Sequence, residues 1–248
     1  MPDWKQPFYL PVAEKLAGKT EKLKAEMEGK PRKQTIHVYT PASYATYKKA
    51  KYPVAYVFGA GARQPGQVDK IADTLFQKQI ENGKRVAPEC IIVFVSTNPM
   101  GPPNVGTLKD VVVPFVDKNF RTITDRDSRL CVGFGFDAAA ALMVASAAND
   151  TFGAVYAASP LMFDAARNGV VGGIRKLKKP LRVHIEWGKY DMFNPHENWD
   201  MRTMSKSFVD EIKSFKNVSI SGGEVNDSTD WSSWQNRIHI PLKMLNRK

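Results

Sequence analysis

The sequence of 248 residues predicts one α/β domain built on a mostly parallel sheet with helices on both faces. Strand-like apolar runs alternate with helical patterns along most of the chain, which is typical of βα units. With 43% hydrophobic and 25% charged residues, the composition is that of a globular protein. Disordered, collagen-like and coiled-coil chains are therefore excluded.

The first element is predicted to be a helix. Residues 11–28 carry apolar side chains at spacings of three and four, with Lys and Glu between them. Gly29 and Pro31 supply a stop signal. The apolar stripe is narrow, so we expect this helix to contact the rest of the protein along one edge only. The expected organisation is a helical arm over residues 1–33 and an α/β domain over residues 34–248.

Strands and helices then alternate to the end of the chain. Strands are predicted in QTIHVYTP, KYPVAYVFGAG, ECIIVFVS, RLCVGF, FGAVYAAS, LRVHIEWG and VSISGG. Helices are predicted in VDKIADTLFQKQIENGK, LKDVVVPFVDKNF, DAAAALMVASAAN, WDMRTMSKSFVDEIKSF and WSSWQNRIHIPLKML. Several strand runs are continuously apolar, which favours strands that are covered on both faces.

The charge balance gives weak information about partners. With 36 basic and 25 acidic residues the net charge is +11, but the lysines are scattered. No stacking aromatic residues are interleaved with the densest basic cluster, in RKLKKPLR at residues 175–182. We therefore do not expect direct binding of nucleic acid.

The cysteine positions and the absence of long apolar runs and known motifs argue against several other kinds of protein. Cys90 and Cys131 lie in apolar runs and are predicted to be buried free thiols, which excludes a disulfide scaffold. No apolar run is long enough for a transmembrane helix, and no nucleotide-binding motif or cofactor site is visible. No secretory signal is visible either. The cytoplasm is the default location if the natural chain begins at Met1; export is the alternative if a leader has been trimmed.

A strand, a glycine-containing turn and an Ala-rich helix follow one another in RLCVGFGFDAAAA, residues 129–141. This is the layout of the nucleophile elbow G-x-S-x-G, in which a serine projects from a tight turn. Here the serine position is Gly135, and Asp137 replaces the second glycine. Asp137 stands at the start of the helix, where we expect its carboxylate to satisfy the amides that would otherwise face an oxyanion. Simple capping of the helix at the surface is the alternative.

From residue 34 to 245 the sequence resembles the putative-esterase family of α/β-hydrolases, which includes esterase D-like and enterochelin esterase-like enzymes. The similar segments are HVYTPASYATYKKAKYPVAYVFGAG, LKDVVVPFVDKNFRTITDRDSRLCVGFGFDAAAAL, FGAVYAASP, WGKYD and DWSSW. The resemblance implies an α/β-hydrolase fold. It also implies hydrolysis of carboxylic esters by a triad of serine, histidine and acid.

Carried over onto this sequence, the triad is incomplete. The nucleophile position falls on Gly135, the general-base position on Thr229, and the acid position on Asp191. Only the acid is retained. The His-Gly-Gly stretch of the family reads Gly59-Ala60-Gly61, so its histidine is also absent. In a subtilisin-type triad, loss of the serine or the histidine alone lowers turnover by about 10⁶-fold.

We therefore expect a catalytically inactive, esterase-like protein that serves binding or assembly. Its partner could be another protein or a second copy, held by the N-terminal helix, or a small apolar ligand in the former cleft. The residues predicted to line that cleft are backbone amides of the turns and nearby aromatic side chains, namely Gly59, Ala60, Gly61, Phe136, Asp137, Trp231 and Trp234. The same aromatic residues could instead collapse together and close the cleft.

The alternative is an active hydrolase of a small ester with an unconventional constellation around Asp191 and His196. His196 would act as the stand-in base, with Ser159, Ser232 or Ser233 as the nucleophile. His37 and His184 are predicted to be sheet-face or core histidines, and His239 to be structural or solvated. Asp191, His196, Glu197 and Asp200 have ligand chemistry, but their spacing is that of a polar loop entering a helix, so no metal site is predicted.

Overall fold

The computed structural model describes residues 12, 14–59, 67–77, 87–97 and 103–245. Within these residues eight strands form one sheet, and a further two strands form a small hairpin. The strands are β1 Lys19–Ala25, β2 Gln34–Thr40, β3 Val54–Phe58, β4 Ile91–Val95, β5 Arg129–Phe134, β6 Ala154–Ala158, β7 Leu181–Tyr190, β8 Phe193–Asn194, β9 Trp199–Asp200 and β10 Val218–Ser228.

The order of strands in the sheet is β1-β2-β4-β3-β5-β6-β7-β10. The β1–β2 and β2–β4 pairs are antiparallel, and the other neighbours are parallel. The mostly parallel sheet predicted from the alternation of elements is therefore confirmed. Strands β3, β4 and β6 are buried along their whole length, as their continuous apolar runs predict.

Helices cover both faces of this sheet. They are α1 Ala42–Thr46, α2 Val68–Gln77, α3 Val105–Thr107, α4 Val113–Asn119, α5 Phe136–Ala147, α6 Asp164–Arg175, α7 Met201–Ile212, α8 Trp231–Gln235 and α9 His239–Lys243. Helices α4 to α7 contribute to the larger core on one face. Helices α2, α8 and α9 contribute to the smaller core on the other face.

The predicted N-terminal helix is wrong for the residues that the structure describes, because residues 19–25 form strand β1. Leu23 lies opposite Ile36 in the ladder with β2. Asp73 of α2 accepts hydrogen bonds from the backbone N–H groups of Ala17 and Gly18, both at 2.8 Å. Pairing with β2, the next strand along the chain, has overridden the local helical pattern. Residues 1–11 and 13 of the predicted arm lie outside the described residues.

Other differences are smaller. Helix α6 was not predicted, because Gly169, Gly172 and Gly173 interrupt its apolar periodicity. The predicted closing helix is two short helices, α8 and α9. Cys90 and Cys131 are free and buried, as predicted. None of the helices among the described residues combines the length and apolarity needed to cross a bilayer.

Candidate functional site

Gly135 lies in the turn between β5 and α5, at the carboxyl edge of the sheet. Its φ of 59° and ψ of −125° place it in the left-handed half of the backbone map. A residue with a side chain adopts such a conformation at a cost of roughly 1–3 kcal/mol, whereas glycine adopts it with little strain. The Gly135 N–H donates to the Ala158 carbonyl at 2.8 Å, which ties the turn to β6. This strand–turn–helix geometry is typical of a nucleophile elbow without its nucleophile.

The Trp234 ring packs against the turn. A Cβ atom built on Gly135 would lie 3.0 Å from the Trp234 ring carbon Cη2. Phe134 packs between Trp231 and Trp234, with ring centroids 5.9 and 5.6 Å away. Trp234 is only 8% exposed. Phe134, Trp231 and Trp234 have therefore collapsed together over the elbow, whereas Phe136, which was also expected to line the cleft, is exposed.

Asp191, the retained acid, is 8% exposed in the turn after β7. Its carboxylate accepts hydrogen bonds from the Gly188 N–H at 2.8 Å and the Ser159 hydroxyl at 3.0 Å. The Thr229 hydroxyl accepts from the N–H of Met192, the residue that follows Asp191, at 3.2 Å. Burial raises the pKa of Asp191, and the opposing hydrogen bonds do not fully offset it. The structure thus places the predicted base position, Thr229, beside the predicted acid, as in a triad.

Ser159 shares this cluster in an unusual backbone conformation. Its φ is 50°, and it is 1% exposed. A left-handed serine is strained, and its hydrogen bond to Asp191 is one of the contacts that hold it. Because the hydroxyl is buried, it does not meet the accessibility that a nucleophile needs.

The oxyanion side of the site is described only in part. Gly59 follows β3, and its N–H donates to the Val95 carbonyl at 3.2 Å. Ala60 and Gly61 lie outside the described residues. Asp137 accepts a hydrogen bond from the Thr97 hydroxyl at 2.6 Å, which links the first turn of α5 to the end of β4.

His196 does not reach the retained acid. It lies exposed in the turn between β8 and β9, and its backbone N–H donates to Asn194 at 3.0 Å. His196 is not among the hydrogen-bond partners of the Asp191 carboxylate in the described part of the chain. Ser232 and Ser233 are hydrogen-bonded to Asp230 at the start of α8. The structure therefore does not bring together the serine–histidine pairs that the sequence suggested around His196.

The loop that carried potential metal ligands is occupied by local contacts. Asp200 caps α7 by accepting from the backbone of Arg202 and Thr203. Glu197 accepts from the Trp199 indole N–H at 2.7 Å. Throughout the described part of the chain, no group of three or more His, Cys, Asp or Glu side chains could hold a metal ion.

Large exposed apolar side chains lie at or just after the carboxyl ends of three neighbouring strands of the sheet. They are Phe136 after β5, Phe163 after β6, and Tyr190, Met192 and Phe193 at or after the end of β7. Phe136 and Phe193 are 57% and 61% exposed. Phe163 packs edge-on against Trp199, with ring centroids 5.8 Å apart. We call these five residues the apolar rim. Large exposed apolar side chains at one edge of a domain mark binding surfaces.

A serine–histidine–glutamate arrangement that the sequence analysis missed lies on β7 and β10. His184 contacts Ser221 at 2.8 Å and Glu186 at 3.0 Å. The i,i+2 spacing of His184 and Glu186 in a strand was a visible signal that both face the same side. The register that brings Ser221 opposite His184 was not visible in the sequence.

Comparison with known proteins identifies the family. Residues 28–240 match the family model described as Putative esterase. The chain belongs to the Putative esterase family. No curated protein matches it. The recognition made from the elbow and the flanking segments is confirmed.

Solved structures show the same fold. A ferulic acid esterase superposes with a TM-score of 0.71 at 17% identity, covering 94% of this chain and 100% of that one. A mutant of the feruloyl esterase module from Clostridium thermocellum, complexed with sinapinate, gives 0.68 at 14% identity, with 98% and 95% covered. The fluorophosphonate-binding serine hydrolase F of Staphylococcus aureus gives 0.68 at 11% identity, with 93% and 99% covered. This Putative esterase family member therefore has the single-domain α/β-hydrolase fold.

Proposed function

We propose that the carboxyl-edge site of this chain binds a ligand without forming an acyl-enzyme there. The observation that carries the proposal is Gly135, which has no side chain to attack an ester and has Trp234 packed where a side chain would project. The base position is also a hydroxyl, Thr229. A triad enzyme without serine and histidine retains only about 10³–10⁴-fold over the reaction in water.

The apolar rim supports binding as the retained role. Its exposed aromatic side chains offer area for an apolar or aromatic ligand beside the amides at the start of α5. Two structural neighbours are a ferulic acid esterase and a feruloyl esterase module that is complexed with sinapinate. A phenolic acid and its methyl ester are therefore the first probes.

Ligand titration tests this proposal. Ferulic acid and methyl ferulate are titrated into the full chain by calorimetry. We expect saturable binding that Phe136→Ala weakens at least about tenfold, which is 1.4 kcal/mol. Tyr47→Ala is the matched control, because Tyr47 is equally exposed but follows α1, outside the apolar rim. Binding that both variants weaken equally, or no binding of either probe, contradicts the proposal.

A second candidate function is hydrolysis of a small carboxylic ester. Family membership and the esterases among the structural neighbours favour it. Asp191 is the group at this edge whose chemistry suits the role, because a carboxyl with a raised pKa can act as a general base towards water. No serine is required in such a mechanism.

Asp191→Asn separates the two candidates. If Asp191 activates water, this variant loses about 10²-fold or more of the hydrolysis of p-nitrophenyl acetate. If the site only binds, wild type and variant hydrolyse the ester equally. Ser159→Ala is the control, since it removes a partner of the carboxylate without removing the carboxylate itself.

A further inference from the structure

A serine, a histidine and a glutamate lie side by side on the outer strands of the sheet, away from Gly135. In the parallel ladder between β7 and β10, Ser221 is directly opposite His184. The distance from Ser221 Oγ to His184 Nδ1 is 2.8 Å. Glu186, two residues further along β7 and on the same face, lies 3.0 Å from His184 Nε2 through Oε1. A chain of hydrogen bonds thus links the serine to the base and the base to the residue that orients it.

The chemistry of the partners fixes the tautomer of the histidine. Glu186 is 3% exposed and contacts the Arg237 Nε atom at 2.7 Å. Burial alone would raise the pKa of Glu186, but the hydrogen bond from His184 and the charge of Arg237 outweigh it and the pKa is lowered. The ionised carboxylate can only accept, so His184 Nε2 carries the proton. Nδ1 of the neutral ring is then the acceptor for the Ser221 hydroxyl.

The ring of His184 is also held from its face. Tyr156 of β6 is in register with His184 and stacks on it, with ring centroids 5.6 Å apart and planes inclined by 14°. The Tyr156 hydroxyl donates to the second oxygen of Glu186 at 3.2 Å. Tyr156 and Glu186 are both buried, so the acceptor nitrogen of the imidazole points in a defined direction.

Ser221 is the accessible end of this arrangement. It lies exposed on β10, the outermost strand of the sheet among the described residues. The serine hydroxyl, unlike that of Ser159, is therefore open to a substrate from solvent.

We propose that Ser221, His184 and Glu186 form a second nucleophilic site that accepts the acyl group of small activated carboxylic esters. Ser221 Oγ bonds to the ester carbonyl carbon as its proton passes to His184 Nδ1. The bond to the leaving oxygen then breaks, and that oxygen takes the proton from Nδ1. Water then bonds to the acyl carbon as its proton passes to His184 Nδ1. The bond to Ser221 Oγ breaks, Oγ takes the proton from Nδ1, and the carboxylic acid is released. Glu186 is a positioning residue that holds the ring.

Covalent labelling of the full chain tests the site. The chain is incubated with a fluorophosphonate, digested, and the modified serine is located by tandem mass spectrometry. We expect the adduct on Ser221 and its loss in Ser221→Ala. Ser219→Ala is the matched control, because Ser219 lies two residues earlier on the same face of β10, opposite Arg182 instead of a histidine. This control should label like wild type.

Kinetics and spectroscopy test the roles of the other two residues. His184→Asn should slow labelling and hydrolysis of p-nitrophenyl acetate by about 10²-fold or more. Glu186→Gln should slow labelling and also remove the preference for a protonated Nε2, which the ¹⁵N shifts of His184 report. A merely structural Glu186 would leave those shifts unchanged in a folded variant. If either variant fails to fold, the comparison of Ser221→Ala with Ser219→Ala decides.

An adduct on another serine, no adduct in wild type, or equal labelling of Ser221→Ala and Ser219→Ala overturns the inference. Its failure is distinct from failure of the proposed function. Binding of a phenolic acid depends on Phe136 and does not involve Ser221. Water activation by Asp191 gives hydrolysis that Ser221→Ala leaves intact and that produces no covalent adduct.

Discussion

At position 135 both the left-handed backbone and the nearby Trp234 ring disfavour any residue larger than glycine. The two effects are separable because Gly29 is also left-handed, with a φ of 72°, and has no atom within 4 Å of a built Cβ. The strain that an enzyme of this fold accepts to present its serine is absent here. The turn retains the shape of the elbow without the constraint that a catalytic side chain imposes.

We expect Gly135→Ala to lower the free energy of unfolding more than Gly29→Ala does. Each variant carries backbone strain of about 1–3 kcal/mol. Only Gly135→Ala adds a methyl group 3.0 Å from the Trp234 ring. Urea denaturation of both variants measures the difference. Equal losses would mean that the ring moves aside freely, and the packing described for the elbow would be wrong.

Asp191 gives a prediction about pH. Its pKa in the folded chain is raised above the ordinary value of 3.8, so the folded state binds the proton more tightly than the unfolded state. The stability that this carboxyl contributes is therefore complete below that value and is lost as pH rises through the raised pKa.

Wild type should accordingly gain stability relative to Asp191→Asn as the pH is lowered from neutral to below 3.8, because asparagine does not titrate. Denaturant titrations of the two proteins across this range give the difference in the free energy of unfolding. A difference that is constant with pH, or that falls at low pH, contradicts the raised pKa.

Among the elements, the segment that enters β1 is fixed by a buried side chain of α2, Asp73. Asp73 accepts from the Ala17 and Gly18 amides and, at 2.6 Å, from the Tyr39 hydroxyl. Three donors converge on one carboxylate, which is 1% exposed. These bonds fix the segment that enters β1 and so hold the strand on the sheet.

Asp73→Asn should lower the free energy of unfolding by about 1–3 kcal/mol, because the amide nitrogen of asparagine cannot accept and at least one of the three donors loses its acceptor. Hydrogen exchange should accelerate at the β1 amides while those of β3 stay protected. Tyr39→Phe is the control, since it removes one donor and leaves both backbone bonds to Asp73 intact. Fast exchange of β1 in this control as well would show that Asp73 is not what anchors the strand.

For the whole molecule, the finding that residues 19–25 form a strand of the sheet changes the expected effect of deleting the N-terminal segment. Had residues 11–28 been a helix on the surface, their removal would have left the domain folded. Instead β1 covers the edge of β2, and the bare edge of a strand is a template for association with another chain.

Removal of residues 1–30 should lower Tm by roughly 5–15 °C, since each kcal/mol corresponds to about 2–4 °C at this size. Sedimentation should also show self-association through the uncovered β2. The comparison is removal of residues 1–11, which leaves β1 and its contacts with Asp73 in place. A monomeric protein of unchanged Tm after the longer deletion contradicts the role of β1 in the sheet.

The sequence by itself determined the α/β architecture and the family, and it predicts that the serine and histidine positions of that family are Gly135 and Thr229. These follow from local patterns: apolar runs, a glycine turn and motif positions such as Gly135, Asp191 and Thr229. Local patterns decide them because burial of a parallel strand requires a continuous apolar run whatever its neighbours are.

Only the tertiary structure decided which distant residues meet. The helical spacing of residues 11–28 was overridden by pairing with β2, and His196, close to Asp191 in sequence, does not contact it. Ser221 and His184 are 37 residues apart, and only the register of β10 on β7 places the hydroxyl beside the ring. Strand register is set by the packing of whole elements, and a short sequence window does not contain that information.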